Sequence, residues 1–353
     1  MLTRTVRAAA VQAEPVWFDM DATADKAVSI FDEAGRAGAE VIAFPEAFIP
    51  GYPWQIWLDS PAANMPLVPR YLMNSPTVDG PQLAKIADAA KRNEITVSMG
   101  YSERDSGTLY LAQAVFDPAG ELVQARRKLK PTHVERTVYG EGDGSDLDVV
   151  DLEFGKVGGL CCWEHLQPLS KYAMYSMGED IHCAAWPSFS IYPGAAQALS
   201  PEVNTAASRM YAVEGQVFVL AACGLIGDAG VEFFCDTDTK KALLTRGGGF
   251  ARIYGPEGSD LAEPLAEDEE GILYADCDPA LQAIAKSAAD PAGHYSRPDV
   301  TQLLLHRSPT PPVVTRGQHA ARNDERVTRE HVQDRTEDDA IVVPESVKAT
   351  AEA

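Results

Sequence analysis

Apolar positions along the chain switch between two periods. Alternating or short unbroken apolar runs at 6–13, 40–44, 95–101, 109–116 and 122–127 predict strands. The same signal recurs at 156–162, 181–185, 217–223, 249–254 and 272–277. Between them, apolar residues three and four apart predict amphipathic helices over 22–37, 81–92, 166–177, 201–213 and 279–288. Pro81, Pro201 and Pro279 suit the first turn of their helices, where a missing N–H costs nothing. Some predicted strands follow one another across a turn alone, as at Asp117-Pro118-Ala119-Gly120 and Gly255-Pro256-Glu257-Gly258. Hairpins mixed with helical crossovers predict an α/β layered sandwich with a mixed sheet, not a purely parallel doubly wound fold. No internal repeat, P-loop or G-x-G-x-x-G is present. Gly247-Gly248-Gly249 precedes a predicted strand and reads as a turn or close-approach site.

The pattern stops near residue 306. All 28 aromatic residues and all six cysteines precede that point. The remaining 47 residues begin at Arg307, pass through Ser308-Pro309-Thr310-Pro311-Pro312 and continue in Arg, Asp, Glu and small residues. This composition cannot bury enough apolar surface to offset its ordering entropy. Residues 1–306 are therefore expected to be the folded domain, and 307–353 a polar C-terminal extension, mobile or ordered on oligomerisation. Its Ile341-Val342-Val343 run could dock as an edge strand.

Charge narrows the partners. The chain carries 30 Lys+Arg against 52 Asp+Glu, a net charge of −22, which repels phosphate backbones and anionic lipid headgroups. The largest basic cluster, Arg126, Arg127, Lys128 and Lys130, is too small to reverse that. No nucleic-acid or membrane partner is expected. The longest uncharged apolar stretch, 217–227, falls short of the roughly 20 residues of a spanning helix. Gln12 and Glu14 cut the first apolar run too short for a signal peptide. The cysteines lack the density of a disulfide framework, so reduced thiols in a cytoplasmic protein are expected.

Three segments carry residue types suited to chemistry. In Phe44-Pro45-Glu46-Ala47-Phe48-Ile49-Pro50-Gly51-Tyr52 a carboxyl follows an apolar strand and sits among prolines and aromatics. Such surroundings raise a carboxyl pKa towards that of a general base; the plainer reading is a carboxylate capping a turn. In Arg126-Arg127-Lys128-Leu129-Lys130-Pro131-Thr132-His133-Val134-Glu135-Arg136, Lys128 and Lys130 share one face if the strand continues. A lysine there could stabilise developing negative charge; the plainer reading is a solvated basic face. In Gly158-Gly159-Leu160-Cys161-Cys162-Trp163-Glu164-His165 a strand runs into a cysteine pair, with a helix expected from about Leu166. A thiol at a strand-to-helix turn is placed as a nucleophile, its thiolate favoured by the helix N-terminus and any nearby lysine. Alternation puts Cys161 and Cys162 on opposite sides. Cys161, Cys162, His165, His182 and Cys183 are potential metal ligands, but the paired spacing of structural zinc sites is missing, so no metal is expected.

Glu46, Lys128 and Cys162 each follow a predicted strand, in the order acid, lysine, thiol. With their flanking sequences they resemble the Glu-Lys-Cys triad of the nitrilase superfamily of carbon–nitrogen hydrolases, over residues 6 to about 300. The later segment 247–262 is similar to that family's C-terminal hairpin. Trp163 directly after the cysteine resembles the nitrilase branch, and actinobacterial aliphatic and aromatic nitrilases in particular. The resemblance implies a four-layer α-β-β-α sandwich with mixed β-sheets over 1–306. It implies Cys162 as nucleophile, Glu46 as base, Lys128 rather than Lys130 as the lysine, and Glu135 as a second glutamate beside it. The residues alone allow Glu135 a surface salt bridge with Arg136 instead.

The implied reaction hydrolyses organic nitriles to carboxylic acid and ammonia through a cysteine thioimidate and thioester, without a cofactor. The alternative is an amidase, carbamoyl hydrolase or cyanide-hydrolysing enzyme on the same scaffold; a non-catalytic assembly protein with a vestigial site is a third reading. Tyr52, Trp57, Tyr139, Trp163 and Trp186 lie close in sequence to the catalytic segments and could line an apolar pocket, favouring aryl or larger aliphatic nitriles over cyanide. Core packing is the other reading for at least two of them. Trp186-Pro187-Ser188 is the leading pocket-wall segment. The resemblance also implies homodimers extending into spiral or filamentous homo-oligomers, with the tail after His306 affecting assembly.

Overall fold

Strand β1 (Val6–Ala13) shows why the layers form. Only Arg7 and Gln12 interrupt its apolar run, and both of its faces are covered. Ala9, Val11 and Ala13 join one core with Phe31, Phe44 and Ile86. Val6, Ala8 and Ala10 join another with Leu160, Trp186 and Tyr211. A two-residue period with both faces buried requires a packed layer on each side.

The computed structural model describes residues 1–314. One half of the sheet holds β2 (Val41–Ala43), β3 (Thr96–Asp105), β4 (Thr108–Phe116) and β5 (Leu122–Arg127). The other half holds β6 (Val150–Leu152), β7 (Gly155–Cys161), β8 (Ile181–Trp186) and β9 (Phe218–Gly224). The order is β5-β4-β3-β2-β1-β9-β8-β7-β6, with β10 (Arg252–Tyr254) paired to β9 and β11 (Gly271–Cys277) to β1. β1 is the seam. It pairs in parallel with β2 at Ala8 to Ala10, and with β9 only at Gln12 and Ala13.

Beyond that corner the halves face each other. Gln113 on β4 donates to the Cys183 carbonyl on β8 at 3.0 Å, linking the two layers. Helices α1 (Met20–Arg36) and α2 (Pro81–Asn93) bury Phe31 and Leu83 against the first half. Helices α3 (Pro168–Ser176) and α4 (Pro201–Gly215) bury Met174 and Tyr211 against the second. Helix α5 (Pro279–Ala289) follows β11. The architecture is the four-layer α-β-β-α sandwich with a mixed sheet.

All ten predicted strands and all five predicted helices are present, with shifted ends. β6 and the short helices at Gln55–Leu58, Pro61–Asn64, Val68–Met73, Asp228–Phe234 and Asp238–Leu243 go beyond the prediction. None is long enough to display two full turns or a clear alternation. The predicted helix at 166–177 starts at Pro168, because a separate 3₁₀ turn takes Cys162–Leu166. The predicted strand at 249–254 shrinks to Arg252–Tyr254. Gly247 and Gly248 adopt φ of 100° and 75°, and a Cβ on Gly248 would meet Ser190 Oγ at 2.2 Å. The triple glycine is thus a close-approach site that delays the strand.

Met1–Pro309 form one compact unit. Of the second, Thr310–Ala353, only residues 310–314 are described, and they carry neither helix nor strand. The expectations for 315–353, including the edge strand at 341–343, lie outside the described residues. No helix among the described residues is long and apolar enough to cross a membrane.

Gly100 on β3 supports the segment that carries Glu46. A Cβ there would stand 2.0 Å from the Pro45 carbonyl oxygen, and backbone cannot yield as a side-chain tip can. Gly100→Ala is expected to destabilise the fold by about 1–3 kcal/mol or more. Thermal or urea unfolding of the purified variant measures this, and an unchanged midpoint would contradict it.

Candidate active site

The parallel strands deliver their carboxyl ends to one edge. β2, β7 and β8 run the same way through the ladder, and β5, antiparallel to β4, shares their direction. Their ends gather Glu46, Lys128, Cys162 and Pro187 from four distant stretches of sequence. Open α/β sheets form ligand crevices at this position.

Lys128 does not belong to a strand face. The β4–β5 ladder stops at Arg127. The Lys128 N–H donates to the Leu111 carbonyl at 2.7 Å, and its own carbonyl accepts from Gly142 N–H at 2.9 Å. The expectation that Lys128 and Lys130 share a face is therefore corrected, since alternation ends with the ladder. The Lys128 side chain is 1% exposed, whereas that of Lys130 is 61% exposed and pairs with Glu141. Lys128 Nζ donates to Glu46 Oε1 at 2.9 Å and to Glu135 Oε2 at 2.8 Å. Glu135 is buried and held on every side. Thr132 N–H donates to its Oε2 at 2.6 Å, and the Tyr52 hydroxyl donates to its Oε1 at 2.8 Å. The Tyr52 hydroxyl in turn accepts from Trp57 Nε1–H at 3.0 Å. The surface salt bridge with Arg136 does not form; Arg136 Nε donates to the His133 carbonyl.

Cys162 opens the 3₁₀ turn after β7 with φ of 47°. A non-glycine residue in this left-handed region costs roughly 1–2 kcal/mol. The same backbone recurs at Ala47 beside Glu46 and at His133 near Glu135, both at φ of 48°. Three of the eight non-glycine residues with positive φ among the described residues therefore lie at or beside the chemistry-bearing side chains. Glu164 restrains the turn. Its carboxylate accepts from Cys161 N–H at 2.8 Å and Leu129 N–H at 2.9 Å, and from Arg126 Nη2 at 2.8 and 2.9 Å. Cys161 packs against Arg126, with Sγ 3.8 Å from Nη1. Cys162 Sγ instead lies within 4.8 Å of a carboxyl oxygen of Glu46 and of Glu135.

Electrostatics decide the resting protonation. Burial pushes the Cys162 thiol well above its ordinary value, the Glu46 charge adds to this, and the opposing pull of Lys128 is too weak. Lys128 thus favours the thiolate, as expected, but burial and Glu46 favour the thiol more strongly, which fits the implied pairing of Cys162 with a base at Glu46. Burial likewise raises Glu46 to about 8, with Lys128 opposing and Glu135 adding. Burial alone would lower Lys128, but Glu135 and Glu46 outweigh it and keep the ammonium protonated. Glu46 Oε2 is buried without a hydrogen-bond partner among the described residues, which leaves it free to take a proton or a water.

A cleft of about 390 Å³, counting its open mouth, reaches Cys162 and Glu135. Of the expected pocket residues, Tyr52, Trp57 and Trp163 line it. Trp163 Nε1–H donates to Asn204 Oδ1 of α4 at 3.0 Å. Trp186 and Tyr139 do not line it. Trp186 ends β8 inside the core, donates from Nε1 to Ser208 Oγ at 2.8 Å and stacks on His165. Tyr139 is buried with its hydroxyl against that of Tyr71. The wall residues after β8 are Pro187, Ser188 and Phe189. Trp54 and Phe189 escaped the sequence reading; their nearness to Glu46 and to the end of β8 was the available signal. Glu46, Glu135 and Cys162 are close enough to hold an ion, but the Lys128 ammonium already stands between the two carboxyls. His165 and His182 bond to each other, not to the thiols.

An α-β-β-α sandwich with a buried thiol, an ammonium and two carboxyls at one sheet edge has the make-up of a thiol hydrolase. The chain belongs to the carbon–nitrogen hydrolase family, whose model matches residues 7–286. It is 59% identical over 309 residues to a protein of Pseudomonas syringae pv. syringae named nitrilase, covering 88% of this chain and 92% of that protein. It is 56% identical over 314 residues to a protein of Rhodococcus rhodochrous named aliphatic nitrilase, covering 89% and 86%. In fold it is similar to the crystal structure of a carbon–nitrogen hydrolase from Helicobacter pylori, with a TM-score of 0.67 at 16% identity, covering 84% of this chain and 96% of that one.

The Arg126–Glu164 pair is buried on both sides. Glu164→Gln keeps the shape but leaves the Arg126 charge unmatched, and is expected to cost about 3–5 kcal/mol. Equilibrium urea unfolding measures this; a loss below about 1 kcal/mol would contradict it.

Proposed function

We propose that this protein is a nitrilase that converts organic nitriles to carboxylic acids and ammonia, with Cys162, Glu46, Lys128 and Glu135 as its catalytic residues. The observation that carries the reading is the thiol of Cys162 beside two carboxyls that share one buried ammonium, at the wall of an apolar cleft. High identity over most of the chain to proteins named nitrilase supports the nitrile as substrate. The aromatic walls at Trp54, Trp57, Trp163 and Phe189 favour aryl or larger aliphatic nitriles over cyanide.

Ionised Glu46 takes the Cys162 proton as sulfur bonds to the nitrile carbon and one C–N π bond opens. Lys128 stabilises the charge growing on nitrogen, and the proton passes to that nitrogen to give a thioimidate. Glu46 then deprotonates a water that adds to the same carbon. The C–N bond breaks, ammonia leaves and a thioester remains. A second water adds, the C–S bond breaks, and the acid leaves with the thiol restored. If the C–S bond breaks before the C–N bond, the product is an amide. Glu135 fixes Lys128, and Tyr52 and Trp57 fix Glu135. Covalent thiol chemistry supplies every bond change, so the reading needs no cofactor.

The same reading places the protein in the cytoplasm, where six buried free cysteines suit a reducing medium. It also includes homodimers extending into spiral or filamentous oligomers, with the domain ending near 306. Exposed Leu166 and Leu169, together with Met210 and Val213 of α4, supply apolar surface for such contacts.

Ammonia release from benzonitrile, phenylacetonitrile, acrylonitrile, cyanide and the matching amides tests the reading. Cys162→Ala is expected to abolish release, while Cys161→Ala and Lys130→Ala retain most of it; inert nitriles with rapid amide turnover would refute nitrilase activity. Glu46 accepts a proton only when ionised, so kcat/KM should rise as pH passes upward through about 8. Glu46→Gln should lower kcat by roughly 10²–10⁴ and remove that rise. Electron microscopy of the full chain and of residues 1–306 tests assembly: shorter particles without the tail support its role, and equal lengths refute it.

A further inference from the structure

Behind the nucleophile lies a row of buried polar side chains that the mechanism does not use. His165 Nδ1 meets the Cys162 carbonyl oxygen at 2.6 Å. His165 Nε2 meets His182 Nε2 at 2.9 Å, and His182 Nδ1 meets Glu179 Oε1 at 2.7 Å. The Tyr211 hydroxyl closes the row by donating to Glu179 Oε2 at 2.7 Å. All four side chains are buried, and the row crosses from the turn after β7, through β8, to α4.

Counting protons fixes the state of this chain. A carbonyl oxygen only accepts, so His165 Nδ1 must carry a hydrogen. The three contacts from the Cys162 carbonyl to Glu179 need one hydrogen each, so His165, His182 and Glu179 must together hold three. Two neutral imidazoles and a neutral carboxyl meet that count. So does an imidazolium facing a carboxylate. With one proton fewer, one of the three contacts sets lone pair against lone pair below 3 Å; the Glu179 carboxylate keeps the hydrogen on His182 Nδ1, so the conflict falls on one of the two His165 contacts.

We propose that Glu179, His182 and His165 act as positioning residues that clamp the Cys162 carbonyl, and with it the left-handed backbone that aims the thiol, only while the chain holds three protons. The proposal rests on Cys162 being the nucleophile. The clamp bears on the one residue of that turn whose φ is strained, where the peptide plane sets both the thiol and the following Trp163 N–H. Burial supports the neutral form: it lowers both histidines well below their ordinary value and raises Glu179 to about 8, with Tyr211 opposing and Asp180 adding. The surrounding charges are largely matched. Asp180 accepts from Lys156 N–H and Gln282, Arg126 on β5 pairs with Glu164, and Lys171 on α3 pairs with Glu214 on α4. Tyr175 on α3 also meets Tyr211 edge to face, with ring centroids 4.9 Å apart. The chain is thus the titrating element in this layer, and its third proton leaves as pH rises. Loss of the clamp appears as an alkaline limb in kcat.

Glu179→Gln separates the clamp from its proton. The amide donates to His182 through N–H and accepts from Tyr211 through oxygen, yet does not titrate. The kcat profile of the full chain on its turned-over substrate is compared for wild type, Glu179→Gln and Glu179→Ala. The ratio of Glu179→Gln to wild-type kcat is expected to rise by about tenfold between about pH 6.5 and pH 9.5, with KM little changed. Glu179→Ala is expected to fall below Glu179→Gln at every pH. Coincident alkaline limbs in wild type and Glu179→Gln would overturn the proposal. If neither variant folds, ¹⁵N-histidine spectra of the wild-type chain near neutral pH decide it. His165 protonated at Nδ1 is expected, and His165 protonated only at Nε2 would overturn it. Full activity in Cys162→Ala would instead defeat the nucleophile assignment, independently of the chain behind it.

Discussion

The carboxylate of Glu164 is the contact on which the site depends. It accepts from the backbone just before Cys162, from the backbone just after Lys128, and, through both oxygens, from Nη2 of Arg126 on β5. Two loops that share no hydrogen-bond ladder are thereby locked in register. Burial alone would raise this carboxyl, but Arg126 outweighs it and holds the group ionised. An ionised carboxylate with all its acceptor sites used is rigid, because any movement strands a buried charge. That rigidity sets how far the thiol stands from the ammonium.

The same logic repeats on the other side of the cleft. Lys128 bridges Glu46 and Glu135, and Glu135 is tied through Tyr52 to Trp57. Burial, with one ammonium shared between two carboxyls, keeps Glu46 a weak acid. The sheet supplies the frame. Parallel strands end at one edge, and each loop places one chemical group there while helices seal the opposite faces. The electrostatic character of the site therefore comes from burial and mutual charge.

Much of this was legible in the chain. Long strands and helices announced themselves because their cores repeat every two or 3.6 residues over several turns. Glu46, Lys128 and Cys162 stood out because each follows an apolar strand within a distinctive local run. Short elements did not, since Gln55–Leu58 and Val150–Leu152 contain too few residues to show a period. Trp186 misled for a physical reason: a tryptophan at a strand end serves equally as a core side chain, and its indole N–H found Ser208.

What the sequence determined by itself is the layering and the cast of reactive groups, because alternation, amphipathicity and residue type are local properties. What only the tertiary structure decided is their state and use. The ladder's end at Arg127 buried Lys128 and released Lys130 to solvent. Packing weighted Cys162 towards the thiol, gave Glu135 a lysine in place of Arg136, and joined His165 to His182. Each outcome depends on distances between residues far apart in the chain, and on the water excluded from between them, and no local pattern encodes either.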